Sequence, residues 1–356
     1  MKAAVYRGRD DVRYEDVPVP NIEAGEILVR VHVCGLCQSD IKKIHYGLQD
    51  APRIFGHETT GEVERIGEGV SHVSVGQRVV FHHHIPCMGC RYCLSGSYSM
   101  CPTYKNVTTT AGFEPAGGGF AEYVRIPPHI ARHGVIPVPE GVSYEAASFV
   151  EPLNCVIKAL DKARIVPGER VLVQGAGPMG LLFTQALVSY GTFPIVTDLI
   201  EKRLELAATL GAAHTFLAND EKLAGKISEA TEGYGVDATM VAVPSVPAAR
   251  AAIELTRKGG RILLFAEFPP GTKLELDPNI IYAREIDLIG SYSSSFKLQQ
   301  VAADLIFSGR VKTEPLVSHR FALSQLSEAI TLATNPDPTT YKILIHPDSA
   351  TAGGTA

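Results

Sequence analysis

Hydrophobic positions in the N-terminal part of the chain recur with a period of two. In Ile27-Leu28-Val29-Arg30-Val31-His32-Val33, the side chains of Ile27, Val29, Val31 and Val33 fall on one face while Arg30 and His32 point the other way. This predicts a half-buried strand. Glycine and proline recur at Gly56, Gly61, Gly67, Gly69, Gly76 and Pro86, and again in the run Gly117-Gly118-Gly119, cutting the segment into short strands and turns. An antiparallel, partly open β-barrel fits such a β-rich stretch.

The pattern changes after Pro167-Gly168. Arg170-Val171-Leu172-Val173-Gln174 is a short apolar strand, a glycine-rich turn follows, and Pro178 to Tyr190 reads as a helix whose proline is acceptable in a first turn. A second strand ends at Ile195-Val196-Thr197-Asp198, and a second helix places Leu204, Ala207 and Ala208 on one stripe before stopping at Gly211. Strand and helix go on alternating through Ala238 to Val243, Pro247 to Arg257 and Arg261 to Ala266. Residues 155–291 are therefore expected to form a doubly wound α/β domain with a parallel sheet, and residues 1–154 a separate β-rich one. A helical pattern resumes from Phe296 to Ser308, Lys342-Ile343-Leu344-Ile345 is a short closing strand, and the small-residue tail 350–356 is expected to be mobile.

Composition narrows the function. A chain of 356 residues exceeds the ~250 to 300 at which a single core stops growing, which also favours two domains. With 45% hydrophobic and 20% charged residues it has the balance of a globular protein. Its 33 basic and 38 acidic side chains give a net charge of -5, the wrong sign for neutralising nucleic-acid phosphates. No apolar leader follows Met1, and no stretch approaches the ~18 apolar residues of a membrane span, so a cytoplasmic protein with no membrane partner is expected. In that compartment seven cysteines point to metal or catalytic use rather than disulfides.

Cysteine spacing carries the strongest chemical signal. Cys87, Cys90 and Cys93 lie three apart and are followed by Cys101; thiolates at that spacing on a tight loop converge on one point, and four of them complete the closed tetrahedral shell of a structural Zn2+. The lobe spans about 86–102. A DNA-binding finger is excluded by the charge and by the lack of a basic recognition helix. A second metal site is readable in pieces. Cys34-Gly35-Leu36-Cys37-Gln38-Ser39-Asp40 offers thiolates and a hydroxyl, and Gly56-His57-Glu58 offers an imidazole and a carboxylate. Cys, His and carboxylate with one position open is the donor set of a catalytic zinc. The run His82-His83-His84 is not expected to bind metal, because consecutive strand residues alternate faces.

Gly175-Ala176-Gly177-Pro178-Met179-Gly180 stands between a strand and a helix, with Asp198 some twenty residues on, which is the dinucleotide fingerprint in its βαβ context. Gly175 is expected to make the turn, Gly177 to admit the pyrophosphate and Gly180 to let the helix pack closely. Asp198 is expected to take the ribose 2′-OH and to repel a 2′-phosphate, favouring NAD over NADP.

In order and spacing these motifs resemble the zinc-dependent medium-chain dehydrogenases, the superfamily of alcohol, sorbitol and threonine dehydrogenases, over nearly the whole chain. Gly56-His57-Glu58-x-x-Gly61-x-Val63-x-x-x-Gly67-x-x-Val70 is similar to that family's zinc signature. The resemblance implies a GroES-like catalytic domain over 1–154, a Rossmann domain over 155–291, and a C-terminal segment, 292–356, that completes the catalytic domain. It implies two Zn2+ per chain and NAD, and a homodimer or homotetramer.

By the same resemblance Cys37 and His57 are catalytic zinc ligands and Cys34 is a nearby non-ligand. The third protein ligand is either Glu58 or Glu151, the latter in Glu151-Pro152-Leu153, which matches the sorbitol-type branch. Pro152 is expected to hold Glu151 out of helical geometry. Cys155 reads as a buried thiol. Ser39 would start the proton path and Asp40 would orient the ligands. Lys42 stands where the family usually has histidine, so Lys42, His45 or solvent finishes the relay. Arg203 falls where the family commonly has a basic residue beside the adenosine ribose. Thr108 to Gly119, with Phe113 and Glu114, is a candidate pocket loop. The expectation is hydride transfer from a secondary alcohol, a polyol or sugar alcohol, to NAD. Threonine or a simple alcohol is the nearest alternative, and a zinc- and NAD-binding protein without turnover the next.

Overall fold

A computed structural model describes residues 1–113 and 117–348, and the chain separates into two compact units. The first comprises Met1–Asn154 together with the chain from Ser294 onward; the second is Cys155–Ser293.

The first unit is built on strand Ile27–Gly35, which pairs antiparallel with Glu58–Ile66, with Tyr123–Ile126 along its first half, and with Lys342–His346 at its far end. The sheet continues from Glu58–Ile66 through Arg78–Phe81 to Val135–Pro137 and has seven strands in all. One pairing departs from the antiparallel expectation: Val317–Ala322 lies parallel to Lys342–His346. Helix Leu326–Thr334 lies between these two strands in sequence, and a crossover of that kind returns the chain in the same direction. Alternation sorts the core. Ile27, Val29 and Val31 bury with Val63, Val79 and Phe81 on one side, whereas Cys34 and Leu36 join Tyr6, Phe55 and Ile343 on the other. Phe113 packs against that second cluster, while Glu114 of the same candidate pocket loop lies outside the described residues, as does the tail 350–356.

In the second unit six strands, all parallel, stand in the order His214–Leu217, Phe193–Asp198, Arg170–Gln174, Val236–Val241, Thr256–Leu264, Asp287–Gly290. Counted along the chain this is 3-2-1-4-5-6, the doubly wound dinucleotide-binding order, whose reversal beside strand Arg170–Gln174 opens the crevice where ligands bind. Helix Pro178–Ser189 follows that strand. Helix Glu201–Thr209 buries Leu204 and Ala207, but Ala208 is exposed, so its apolar stripe is narrower than expected. The helix expected to reach Arg257 ends at Leu255, and Thr256 already opens the next strand. No helix among the described residues is long and apolar enough to cross a membrane.

Candidate metal and dinucleotide sites

Among the described residues three groups bring His, Cys or carboxylate ligand atoms within 4.8 Å of one another: Cys87 with Cys90, Cys93 and Cys101; Cys37 with His57 and Glu58; and His82 with His83 and His84. In the first, Cys90 Sγ stands 3.5 Å from Cys93 Sγ, which is 4.0 Å from Cys87 Sγ. The Cys87 N–H points at Cys101 Sγ at 3.4 Å. Burial pushes Cys101 up, but hydrogen bonds from the Thr103 hydroxyl and from the Cys87 and Thr103 amides outweigh it and bring the thiol to about 6. Four sulfurs on one short loop fit the closed shell of a structural zinc.

The second group forms where strand Ile27–Gly35 hands over to helix Gln38–Tyr46. Cys37 caps this helix, accepting from Ser39 N–H at 3.5 Å, and the Ser39 hydroxyl donates to the same sulfur at 3.3 Å. The sulfur thus meets the positive end of the helix dipole. On the same helix Asp40, fully buried, holds Nδ1 of His57 at 3.0 Å and takes the Lys43 ammonium at 3.3 Å. Burial opposes its ionisation, yet His57 and Lys43 hold Asp40 down at about 2. With Nδ1 engaged, Nε2 of His57 is left for a metal, in the carboxylate–histidine arrangement of zinc sites. Cys34 is outside the group: its sulfur is fully buried and accepts from the Thr59 hydroxyl at 3.3 Å.

Glu58 opens strand Glu58–Ile66, is 1% exposed, and is ion-paired with Lys342. The sequence pattern offered no sign of this lysine, which stands at the head of the closing strand. Burial works against its charge, but Glu58, Cys37 and Glu151 together keep the ammonium raised. Glu151 lies in the first turn of helix Val150–Lys162 and not on an extended segment. Pro152 is tolerated there because the first turn's N–H groups have no intrahelical partners to lose. Desolvation and the Glu58 and Asp40 charges push Glu151 up to about 6, against the pull of His57 and Lys342. A second carboxylate therefore stands beside the donor set. Further along that helix, Cys155 is half-buried rather than buried.

Lys42 is half-buried, and His45 is exposed and paired with Asp10 at 2.9 Å. The histidine run overturns the face-alternation argument, since its ring nitrogens do converge. Strand Arg78–Phe81 ends before His82, so the backbone bends where strict alternation was assumed. His82 is committed to the fold: Nε2 meets the Ser294 hydroxyl at 3.1 Å and Nδ1 accepts from the His84 N–H at 3.4 Å. His83 lies against the metal group, its ring centre 4.8 Å from that of His57.

In the second unit the glycine-rich turn leads from strand Arg170–Gln174 into helix Pro178–Ser189, with Gly177 as the cap and Pro178, Met179 and Gly180 in the first turn. A Cβ on Gly180 would lie 1.8 Å from the Gly175 carbonyl oxygen, so only glycine lets the helix sit this close to the turn. Nothing lies within 4 Å of where a Gly177 Cβ would be, which leaves the helix N-terminus open to a phosphate. Asp198, 8% exposed, accepts from the Ala176 N–H at 2.7 Å and from the Ile200 N–H at 2.9 Å. It therefore braces the turn. Arg203 is half-buried in the helix that follows.

Residues 23–140 match the alcohol dehydrogenase GroES-like domain and residues 178–308 the zinc-binding dehydrogenase family. The chain is 35% identical over 336 residues to a D-altritol 5-dehydrogenase of Agrobacterium fabrum, covering 92% of this chain and 94% of that one. It is 31% identical over 354 residues to a sorbitol dehydrogenase of Bombyx mori, covering 97% and 98%. Among solved structures it is similar to an alcohol dehydrogenase of E. coli CFT073 complexed with cofactor NADH, with TM-score 0.86, 27% identity and coverage of 97% and 99%.

Proposed function

The chain belongs to the zinc-dependent medium-chain dehydrogenases, and from that premise we propose that it oxidises a secondary alcohol of a polyol or sugar alcohol with NAD as hydride acceptor. The observation that carries this reading is the donor set of Cys37, His57 and Glu58 with the Ser39 hydroxyl 3.3 Å from the thiolate sulfur. Three donors leave room for a substrate oxygen, and a purely structural metal needs no hydroxyl beside it. The relatives named for sorbitol and D-altritol support the polyol class.

In this reading Cys37, His57 and Glu58 hold the catalytic zinc, and Cys87, Cys90, Cys93 and Cys101 a structural one. The zinc supplies Lewis acidity that eases loss of the alcohol proton near neutral pH, and NAD supplies the hydride acceptor. Asp40 fixes the imidazole orientation. Ser39 Oγ takes the hydroxyl proton of the substrate as it gives up its own. Lys42 stands one helical turn on from Ser39, whereas six residues put His45 about 9 Å along the axis, too far for direct transfer. The proton that Ser39 gives up therefore passes to water, directly or through Lys42, which hands one of its own protons to water in exchange. Glu151 presents a carboxylate to a second substrate hydroxyl. Gly175, Gly177 and the first turn from Pro178 through Met179 to Gly180 take the pyrophosphate, and Asp198, with Arg203 close behind it in sequence, the adenosine ribose. A cytoplasmic homodimer or homotetramer completes the reading.

The test is NAD reduction by purified protein with sorbitol, xylitol, L-threonine and a secondary alkanol. Turnover led by a polyol supports the proposal. Turnover led by threonine or the alkanol rejects the polyol class, and none with any alcohol, at full zinc content, points to binding without catalysis.

A further inference from the structure

Lys342 reaches the metal group from the far end of the chain. Strand Lys342–His346 pairs antiparallel with Ile27–Gly35, matching Leu344 to Gly35 and Ile345 to Cys34, and the Leu36 N–H donates to the Ile343 carbonyl at 2.9 Å. That register brings Lys342 over the loop leading to Cys37. Its ammonium donates to the Leu36 carbonyl at 3.2 Å and pairs with Glu58. Lysine and glutamate are 6% and 1% exposed. Space for the pair is reserved at Gly35, where a Cβ would stand 2.0 Å from Glu58 Oε2 and 2.8 Å from Lys342 Cε.

We propose that Lys342 is a positioning residue of the catalytic metal site, holding Glu58 in the donor set with Cys37 and His57. The inference rests on the reading of those three residues as metal ligands. Its electrostatic basis is simple. Asp40, Glu58 and Glu151 crowd one desolvated region together with the Cys37 sulfur. Asp40 has Lys43 and His57 for partners, and Glu58 has Lys342. Without the lysine, Glu58 would face the Glu151 and Asp40 charges with its ion-pair partner gone, and a buried carboxylate deprived of its partner is free to swing away from the position the pair gives it. Lys342 anchors Glu58 from behind, in the way outer partners of zinc ligands fix their orientation.

The experiment compares wild type with Lys342→Met, Lys342→Arg, Glu58→Gln and the double variant Glu58→Gln/Lys342→Met, all as the full chain. The readouts are zinc content, the rate at which a chelator extracts the first zinc, and the visible spectrum with Co2+ in the catalytic site. Lys342→Met is expected to lose that metal about 10- to 100-fold faster, with a changed cobalt spectrum, while the four-cysteine metal stays. Lys342→Arg is expected to stay within a few-fold of wild type. If lysine acts through Glu58, the double variant releases metal no faster than Glu58→Gln alone. It removes both members of the Glu58–Lys342 ion pair, so it keeps the comparison open even if Lys342→Met fails to fold. Additive effects, or a Lys342→Met protein with wild-type extraction rate and spectrum, overturn the proposal. Wild type that takes up only the four-cysteine metal overturns the underlying metal reading as well. Failure of every polyol as substrate touches the proposed function alone.

Discussion

Asp40 Oδ2 lies 3.0 Å from Nδ1 of His57, with the aspartate fully buried in the first turn of helix Gln38–Tyr46. The pair joins a helix to the segment that leads into strand Glu58–Ile66 and, in the proposed function, leaves Nε2 of the imidazole to face the metal. Replacing Asp40 with Ala should therefore weaken the catalytic metal about 10- to 100-fold and leave the four-cysteine metal in place. Zinc per chain after dialysis against graded chelator checks this. Equal retention at both sites in the variant would show that Asp40 does not orient His57.

What could be read ahead of the structure followed sequence distance. The fingerprint from Gly175 to Gly180 is local: a strand, a turn and a first helical turn lie within a dozen residues, and their spacing alone implies the contact that Gly180 makes with Gly175. The cysteine lobe is local too. Lys342 was invisible because its partner Glu58 is set by strand register between the two ends of the first unit, and no periodicity reports that. His82, His83 and His84 were misread for a different reason, since alternation was carried past the end of a strand that stops at Phe81. Glu151 was misplaced because Pro152 was read as breaking a helix when it sits in one's first turn.

The two metal groups draw on separate residues, and their substitutions should separate as well. Cys90→Ser opens the shell of four sulfurs and is expected to lower Tm by about 5 °C or more, because the energy of a structural zinc is folding energy. Cys37→Ser should leave Tm nearly unchanged and abolish turnover. Thermal melts beside initial rates decide it. Parallel loss of stability and activity in both variants would contradict the division.

Asp198 is expected to carry two duties at once. Its carboxylate braces the turn through the Ala176 and Ile200 amides, and in the proposed function it also meets the adenosine ribose. Asp198→Gly should shift kcat/KM toward NADP by at least tenfold and also lower stability, since each buried bond to a charged acceptor contributes about 1.5 to 3 kcal/mol. A variant that melts earlier with its NAD preference intact would assign Asp198 to the brace alone.

Lys158 gives a pH dependence unconnected with either metal group. Its ammonium donates to the Tyr292 carbonyl at 2.6 Å, and burial lowers it from 10.5 to about 8, with Cys155 opposing and Lys162 adding to the shift. A folded pKa below the unfolded one means that the unfolded chain binds more protons between about pH 8 and 10.5, so this group's contribution to stability rises with pH across that window. Lys158→Met removes the group. The variant's Tm relative to wild type should therefore be most favourable near pH 7 and fall progressively toward pH 10. A difference that is flat over that range would show that Lys158 titrates alike in both states.

In the proposed function substrate preference turns on Glu151, a carboxylate that stands beside Cys37, His57 and Glu58. A one-hydroxyl alcohol has nothing to offer it. A vicinal diol can place one oxygen near Ser39 and give the next hydroxyl to Glu151, and a buried hydrogen bond left unmade costs ~1 to 3 kcal/mol, or roughly 5- to 150-fold in kcat/KM. Xylitol should therefore exceed a secondary alkanol of equal length by a factor in that range, and Glu151→Ala should bring the two together mainly by slowing xylitol. Ser39→Ala is the control, because a group that takes the proton from either substrate should depress both equally. If Glu151→Ala slows the alkanol as much as xylitol, the carboxylate serves the metal group rather than the second hydroxyl, and the polyol preference needs another residue to explain it.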